Sequence, residues 1–175
     1  MPNPAAPPTV VAAIDGHAIS DPARIAVIDR GVAITYAELS RLVRRAAAWL
    51  HRQGLAPGDM VGVTIRDECP HLVLSLALQR LGCTQVTLPG RDPPAMRQAM
   101  AARLSVVAVL GEGAADALPD ATLLLPETAR IAQDAALDAI ALPQAPEGGI
   151  VLTSSGTTGQ ETLVLMTADR LGRQA

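Results

Sequence analysis

The chain has 175 residues, of which 49% are hydrophobic, so its length and composition favour one packed domain and exclude a disordered chain. All 14 basic residues are arginine, and against 17 acidic residues they leave a formal net charge of -3. No basic cluster stands out, and we therefore expect no nucleic-acid partner.

The N-terminal residues are rich in proline and alanine and lack the charged and apolar regions of a signal peptide. No apolar run approaches the roughly 20 residues of a membrane span. We therefore predict a flexible tail over residues 1–19, a single α/β subdomain over residues 20–175, no membrane partner and a cytoplasmic location. Cys69 and Cys83 lack a second metal-type pair, which favours two reduced thiols over a zinc site or a disulfide framework.

The first predicted elements are a hairpin and a helix. The sequence predicts two strands, over residues 24–29 and 32–36, joined by a turn at Arg30 and Gly31. Thr35 and Glu38 then have the spacing of a capping box, which predicts a helix that begins there. Its apolar residues recur at three- and four-residue steps until Gly54, where we expect it to end.

Strands and helices alternate along the rest of the chain. Strands are predicted at residues 60–65, 83–88, 105–110, 121–125, 150–153 and 163–166, and helices at 70–81, 93–103 and 127–142. A further helix begins at Thr167. Because strands that alternate with helices of this length form βαβ units, we predict an α/β fold: a largely parallel sheet with helices on both faces.

Between the last two predicted strands lies a loop of small hydroxyl residues and glycines. Its members are Ser154, Ser155, Gly156, Thr157, Thr158 and Gly159. Glycines allow the main-chain amides to turn toward one point, and the hydroxyls add further donors, an arrangement that suits phosphate oxygens. A P-loop is excluded because lysine does not follow the second glycine. An ordinary flexible hairpin loop remains the alternative.

This loop resembles the phosphate-loop signature of the AMP-forming acyl-adenylate synthetases, the superfamily of acyl-CoA ligases, peptide-synthetase adenylation domains and firefly luciferase. Residues 34–39 are similar to the family's threonine-tyrosine helix entry. Residues 54–63 are similar to its proline-glycine-aspartate stretch, and residues 72–88 also fit. The resemblance covers residues 20–170, so the chain is identified as the N-terminal portion of a family member, about its first third.

The resemblance implies a two-step reaction. A carboxylic acid would react with ATP and Mg²⁺ to give an acyl-adenylate and pyrophosphate, and a thiol, of coenzyme A or of a carrier protein, would then take the acyl group. The loop from Ser154 to Gly159 would bind the β- and γ-phosphates. None of its residues would be a nucleophile, so no catalytic residue and no protein metal ligand is assigned.

The chain departs from the family pattern next to this loop. Where the family has proline, lysine and glycine, Glu161, Thr162 and Leu163 follow, which removes a cation aimed at phosphate. The adenine, ribose and magnesium motifs of the family lie beyond residue 175, so we expect that a chain of this length does not carry the full active site. We also expect an exposed sheet edge that associates with a second copy or with the missing C-terminal part.

Two other functions compete with the ligase. The first is a non-catalytic binding or assembly module that has kept the fold and lost adenylation, which Thr162 in the lysine position favours. The second is an unrelated dinucleotide-binding domain, which requires a glycine-rich turn after the first parallel strand. Residues 65–68 contain no glycine, which excludes a dinucleotide-binding domain.

Overall fold

The fold is taken from a computed structural model, which describes residues 8–154 and 162–172. Its strands are β1 (Ile25–Asp29), β2 (Val32–Thr35), β3 (Met60–Val63), β4 (Thr84–Thr87), β5 (Ala108–Leu110), β6 (Thr122–Leu124), β7 (Ile150–Ser154) and β8 (Thr162–Met166). Its α-helices are α1 (Val10–Ser20), α2 (Tyr36–Arg52), α3 (Glu68–Leu81), α4 (Pro94–Arg103), α5 (Thr128–Gln133) and α6 (Ala168–Gly172). Short 3₁₀ turns cover Ala114–Asp116 and Ala135–Ala139.

Helix α1 lies where the sequence predicted a flexible tail over residues 1–19. The Thr9 hydroxyl caps this helix by accepting a hydrogen bond from the backbone N–H of Ala12 at 3.3 Å. Val11 and Ile14 are buried in the same core as α2 and α3. The prediction of a flexible tail is therefore wrong from Val10 onward. The prolines between residues 2 and 8 are typical of a tail, but a short apolar helix follows them.

The predicted hairpin and the helix that follows it are confirmed. Arg30 and Gly31 have φ angles of 48° and 83°, the left-handed conformation that a tight hairpin turn between twisted strands requires. Both halves of the capping box form at the start of α2. The Glu38 carboxylate accepts from the Thr35 N–H at 2.8 Å, while the Thr35 hydroxyl accepts from the Glu38 N–H at 3.3 Å.

Six of the described strands form one sheet in the order β6-β5-β3-β4-β7-β8. Strands β3 to β7 are parallel to their neighbours, and β8 runs antiparallel to β7 at one edge. The predicted largely parallel α/β sheet is thereby confirmed. The hairpin of β1 and β2 forms a separate two-stranded sheet.

Helices cover both faces of this sheet. Val61 and Val63 of β3 share a buried core with α1, α2 and α3 on one face. Val86 and Val109 face the other side, where they pack with α4. Because successive side chains of a strand alternate between the faces, Gly62 also faces α4, and a Cβ at Gly62 would lie 2.6 Å from Leu88 Cδ1.

The single helix predicted over residues 127–142 is wrong. It divides into α5 and the 3₁₀ turn Ala135–Ala139 at Asp134, whose side chain accepts from the Ala136 N–H at 3.1 Å. A short polar side chain that bonds its own backbone competes in this way with helix continuation. Arg45 of α2 holds the divided segment by donating to Asp138 Oδ1 at 2.9 Å and to the carbonyl of Ala132. None of the helices described in residues 8–154 and 162–172 is long and apolar enough to cross a membrane.

Candidate functional site

The carboxyl ends of the parallel strands meet at one edge of the sheet. After β3 the chain turns into α3 on one face, whereas after the neighbouring β4 it turns into α4 on the opposite face. Adjacent strands whose connections leave on opposite faces open a crevice between their carboxyl ends, and such crevices are where open α/β sheets bind ligands. In this sheet that position lies between β3 and β4.

A crevice of about 350 Å³ lies at this position, which we call the β3–β4 crevice. Its wall is formed by the last residues of β3 and β4, by residues that follow these strands, and by one residue of α3. These residues include Thr64, Arg66, His71, Thr87, Gly90 and Arg91. Two cations, Arg66 and Arg91, therefore line the carboxyl edge of the sheet.

Arg66 packs over a glycine that leaves room for it. A Cβ at Gly90 would lie 3.1 Å from Nη2 of Arg66, so the guanidinium lies directly against the Gly90 backbone. The backbone N–H of Arg66 donates to Glu112 Oε1 at 2.8 Å. The guanidinium itself is 3.9 Å from Glu112 Oε2, and its side chain is 73% exposed. Such an exposed and distant ion pair leaves the guanidinium free to bind another anion.

His71 connects the crevice to the interior. Its Nδ1 is 2.9 Å from the Ile65 carbonyl, and its Nε2 is 3.3 Å from Nε2 of Gln85. Because a carbonyl can only accept, the contact with Ile65 places a proton on Nδ1. His71 is thus held in position by a contact at each ring nitrogen.

A larger groove of about 670 Å³ runs along α3 and over β4 and β7, and we call it the α3 groove. Its walls are mostly apolar, with Val10, Leu72, Leu76, Ile150, Leu152 and Leu171 among the lining residues. Three buried side chains in its wall, Ser75, Gln79 and Gln85, each carry an oxygen without a hydrogen-bond partner among the described residues. The groove and the β3–β4 crevice share Arg66 and His71, so the two spaces adjoin.

The predicted phosphate loop begins at the same edge. Its first residue, Ser154, ends β7, and β7 is parallel to β4 and adjacent to it. Ser154 is the strand partner of Thr162 in β8. Ser155, Gly156, Thr157, Thr158 and Gly159, with Gln160 and Glu161, lie outside the described residues. The strand pair therefore brings together the two ends of the loop, and the role of the loop residues in phosphate binding stays a prediction.

Sequence reasoning missed the residues of the crevice. Arg66 and Arg91 follow different strands and are separated by a whole helix, and His71 belongs to no recognisable motif. Their position in the sequence could have identified them, because each lies within a few residues of the carboxyl end of a predicted parallel strand. Parallel strands place those ends at a common edge.

The two cysteines are free thiols away from this edge. Cys83 is buried and donates to the Ala56 carbonyl at 3.2 Å, and its burial, with a smaller effect of Asp59, raises its pKa to about 12. Burial is also the main cause of the raised pKa of the half-buried Cys69, ahead of the nearby Asp29. Because only the thiolate is a strong nucleophile, neither cysteine is suited to covalent catalysis.

The resemblance implies Mg²⁺, whose ligands are oxygen atoms of carboxylates, carbonyls, phosphates and water. Within residues 8–154 and 162–172, no three side chains of His, Cys, Asp or Glu converge in a way that could hold a metal ion. Glu112, which contacts Arg66 of the crevice, already accepts a hydrogen bond from the backbone of that arginine. Proteins commonly bind Mg²⁺ through one or two carboxylates and the phosphates of the substrate, so the implied Mg²⁺ would be held chiefly by the phosphates of ATP.

Comparison with known proteins identifies related sequences and structures. A sequence model described as AMP-binding enzyme matches residues 15–175. Cyclosporin synthetase of Tolypocladium inflatum is 29% identical over 163 residues, which cover 86% of this chain and 1% of that protein.

Two solved structures from Klebsiella oxytoca have the same fold. The NpsA N-terminal subdomain in complex with 3-hydroxybenzoyl-AMSN has a TM-score of 0.79 at 21% identity, covering 93% of this chain and 41% of that chain. The artificially fused NpsA-ThdA adenylation-PCP di-domain has a TM-score of 0.73 at 21% identity, covering 95% of this chain and 34% of that chain. At these identities the likeness shows the fold alone, and the chain spans well under half of either structure.

Proposed function

The chain belongs to the family of AMP-binding enzymes, and on this premise we propose that it is the N-terminal part of a ligase that activates a carboxylic acid with ATP. The product of the activation is an acyl-adenylate. One observation carries the proposal: the loop that begins at Ser154 starts at the carboxyl edge of the parallel sheet, and the pairing of Ser154 with Thr162 closes it. Donors in this loop would face a ligand at the edge where α/β sheets bind nucleotides.

In the proposed reaction, a carboxylate oxygen attacks the α-phosphorus of ATP. The bond from that phosphorus to the bridging oxygen breaks, and pyrophosphate leaves with the negative charge. Donors that hold the β- and γ-phosphates stabilise the charge that develops on the leaving group, and they also fix the α-phosphorus in line for attack. This is the role we assign to the amides and hydroxyls of Ser154, Ser155, Gly156, Thr157, Thr158 and Gly159.

Transfer of the acyl group is the finer part of the proposal. The acyl-adenylate would pass its acyl group to a thiol, either that of coenzyme A or that of a carrier protein. The similarity to a peptide synthetase and to an adenylation-PCP di-domain supports the carrier protein as the acceptor. A cytoplasmic location, where ATP is abundant, stays part of this proposal.

Titration calorimetry of the chain with Mg·ATP tests the proposal. Thr158→Val removes a hydroxyl donor and Gly159→Ala restricts the loop backbone, so we expect each change to weaken Mg·ATP binding at least tenfold. Thr122→Val is the matched control, because exposed Thr122 begins β6 at the opposite edge of the sheet. Loop variants that bind Mg·ATP as tightly as the unaltered chain would refute the assigned role of the loop.

The alternative is a binding or assembly module without adenylation activity. It is favoured by Thr162, which stands where the family's lysine would contact phosphate. The same calorimetry separates the two functions, since a module that has lost the chemistry gives no heat with Mg·ATP in the unaltered chain. Carboxylate-dependent exchange of pyrophosphate into ATP by the whole protein would exclude the module.

A further inference from the structure

We propose that Arg66 and Arg91 form a second phosphate-binding subsite in the β3–β4 crevice, which contacts the polyphosphate of the nucleotide. The inference rests on the proposed function, because it names groups that would act on the same ligand. It does not depend on the loop geometry, since all residues of the subsite belong to the described part of the chain. The two arginines would supply positive charge near the phosphates, which the chain otherwise lacks because Thr162 stands where the family has lysine.

The position of the subsite follows from the sheet order. Strand β4 lies between β3 and β7, and all three are parallel. The carboxyl ends of these strands are therefore neighbours along a single edge, and the end of β7, where Ser154 lies, is on the other side of β4 from β3. Arg66 and Leu152 line the same α3 groove, so the arginine and β7 border one open space.

The guanidinium groups have the exposure and freedom that anion binding requires. Arg66 is 73% exposed, and within the described residues its one ion pair is the 3.9 Å contact with Glu112. Arg91 is exposed and forms no ion pair among the described residues. A guanidinium presents several N–H donors in one plane, which allows it to bind two phosphate oxygens at once.

The neighbouring acidic groups oppose binding only in part. Glu112 is anchored by the backbone N–H of Arg66 at 2.8 Å, and Asp67 is paired with Arg30 at 2.6 Å. Exposed Glu68 lies in the first turn of α3, where it offsets the positive end of the helix dipole. The attraction for phosphate must therefore come from the two arginines rather than from the helix N-terminus.

The closing experiment uses inorganic pyrophosphate as the probe. Titration of the full chain at low salt would compare the unaltered protein with Arg66→Gln, Arg91→Gln and the double variant. Arg103→Gln is the control, since it removes the same charge from an exposed position at the far end of α4. We expect each crevice variant to raise the Kd for pyrophosphate about fivefold and the control to leave it unchanged.

Three further readouts decide the outcome. Raising the ionic strength should weaken binding less in the double variant than in the unaltered chain, because screened arginine contacts are already missing. A site that prefers benzoate to pyrophosphate would be a carboxylate site, and that result overturns the inference. Equal pyrophosphate affinity in Arg91→Gln and Arg103→Gln also overturns it, and this pair is safe to compare because neither side chain makes a described ion pair.

The test separates this inference from the proposed function. If Thr158→Val loses Mg·ATP binding while the arginine variants keep pyrophosphate affinity, the ligase proposal stands and the subsite is refuted. If the arginine variants lose pyrophosphate affinity while the loop variants keep Mg·ATP affinity, the subsite stands and the loop assignment fails. Absence of pyrophosphate binding in the unaltered chain refutes the subsite. The Mg·ATP titration then still tests the proposed ligase function.

Discussion

Gly148 is the position where a single methyl group should do most damage to the described fold. A Cβ there would lie 1.7 Å from the carbonyl oxygen of Cys83 and 2.5 Å from its carbonyl carbon. Both are backbone atoms at the entry to β4, so a side-chain rotation cannot relieve the clash. The Gly148 N–H also donates to the Gln79 carbonyl at 2.8 Å, which fixes the approach of the chain to β7. Gly148→Ala must therefore displace the backbone that positions β7.

The expected loss of stability follows from two effects. Overpacking a buried site costs about 1–3 kcal/mol. Weakening one backbone hydrogen bond adds about 1 kcal/mol. We therefore expect Gly148→Ala to lower the free energy of unfolding by about 2–4 kcal/mol, a large part of the roughly 5–15 kcal/mol of a typical domain.

Urea unfolding followed by circular dichroism measures this change. Gly113→Ala is the matched control, because nothing lies within 4 Å of a Cβ at Gly113 and its φ of -174° suits any residue. The control should stay within about 0.5 kcal/mol of the unaltered chain. A Gly148→Ala variant as stable as Gly113→Ala would show that the chain does not pass this close to Cys83, and the reasoning about β7 would be wrong.

Three other predictions concern the loop, an ion pair and the sheet edge. Thr162→Lys should tighten Mg·ATP binding about tenfold by calorimetry, since a charged hydrogen bond to phosphate contributes about 1.5–3 kcal/mol, and unchanged affinity would contradict the proposed role of the loop. Asp138 has a pKa below its ordinary 3.8, chiefly because Arg45 donates to its carboxylate. At a pH above 3.8 the ion pair therefore contributes fully to stability, and this contribution is lost as the pH falls through the lowered pKa of folded Asp138. Asp138→Asn should accordingly lower the free energy of unfolding at pH 7, and the difference from the unaltered chain should be smaller near pH 2. Light scattering should show association, because Leu152 and Leu165 on β7 and β8 are 46% and 50% exposed, and a clean monomer would refute this.

Local chemistry explains which elements could be predicted from the sequence. The turn at Arg30 and Gly31 and the capping box of Thr35 and Glu38 depend on residues within a few positions of one another, and both form as expected. The divided helix at Asp134 was missed because an aspartate can bond its own backbone or face solvent, and periodicity does not distinguish the two.

Tertiary order explains what could not be predicted. Helix α1 is held by burial of Val11 and Ile14 against α2 and α3, which no local pattern specifies. The crevice depends on β5 lying on one side of β3 while β4 lies on the other. A sequence of alternating strands and helices does not specify that order, and so Arg66 and Arg91 gave no combined signal.

The reversal of direction between β7 and β8 has a consequence for how this protein could change over evolution. A hairpin tip is joined to its sheet through one closing pair, here Ser154 and Thr162, so residues beyond that pair can be exchanged without disturbing the ladder behind them. Substitutions among those residues could therefore change the affinity for a nucleotide without changing the stability of the fold. Thr162, where the family has lysine, belongs to the closing pair itself, so regaining the cation there would change the end of the ladder and the charge together.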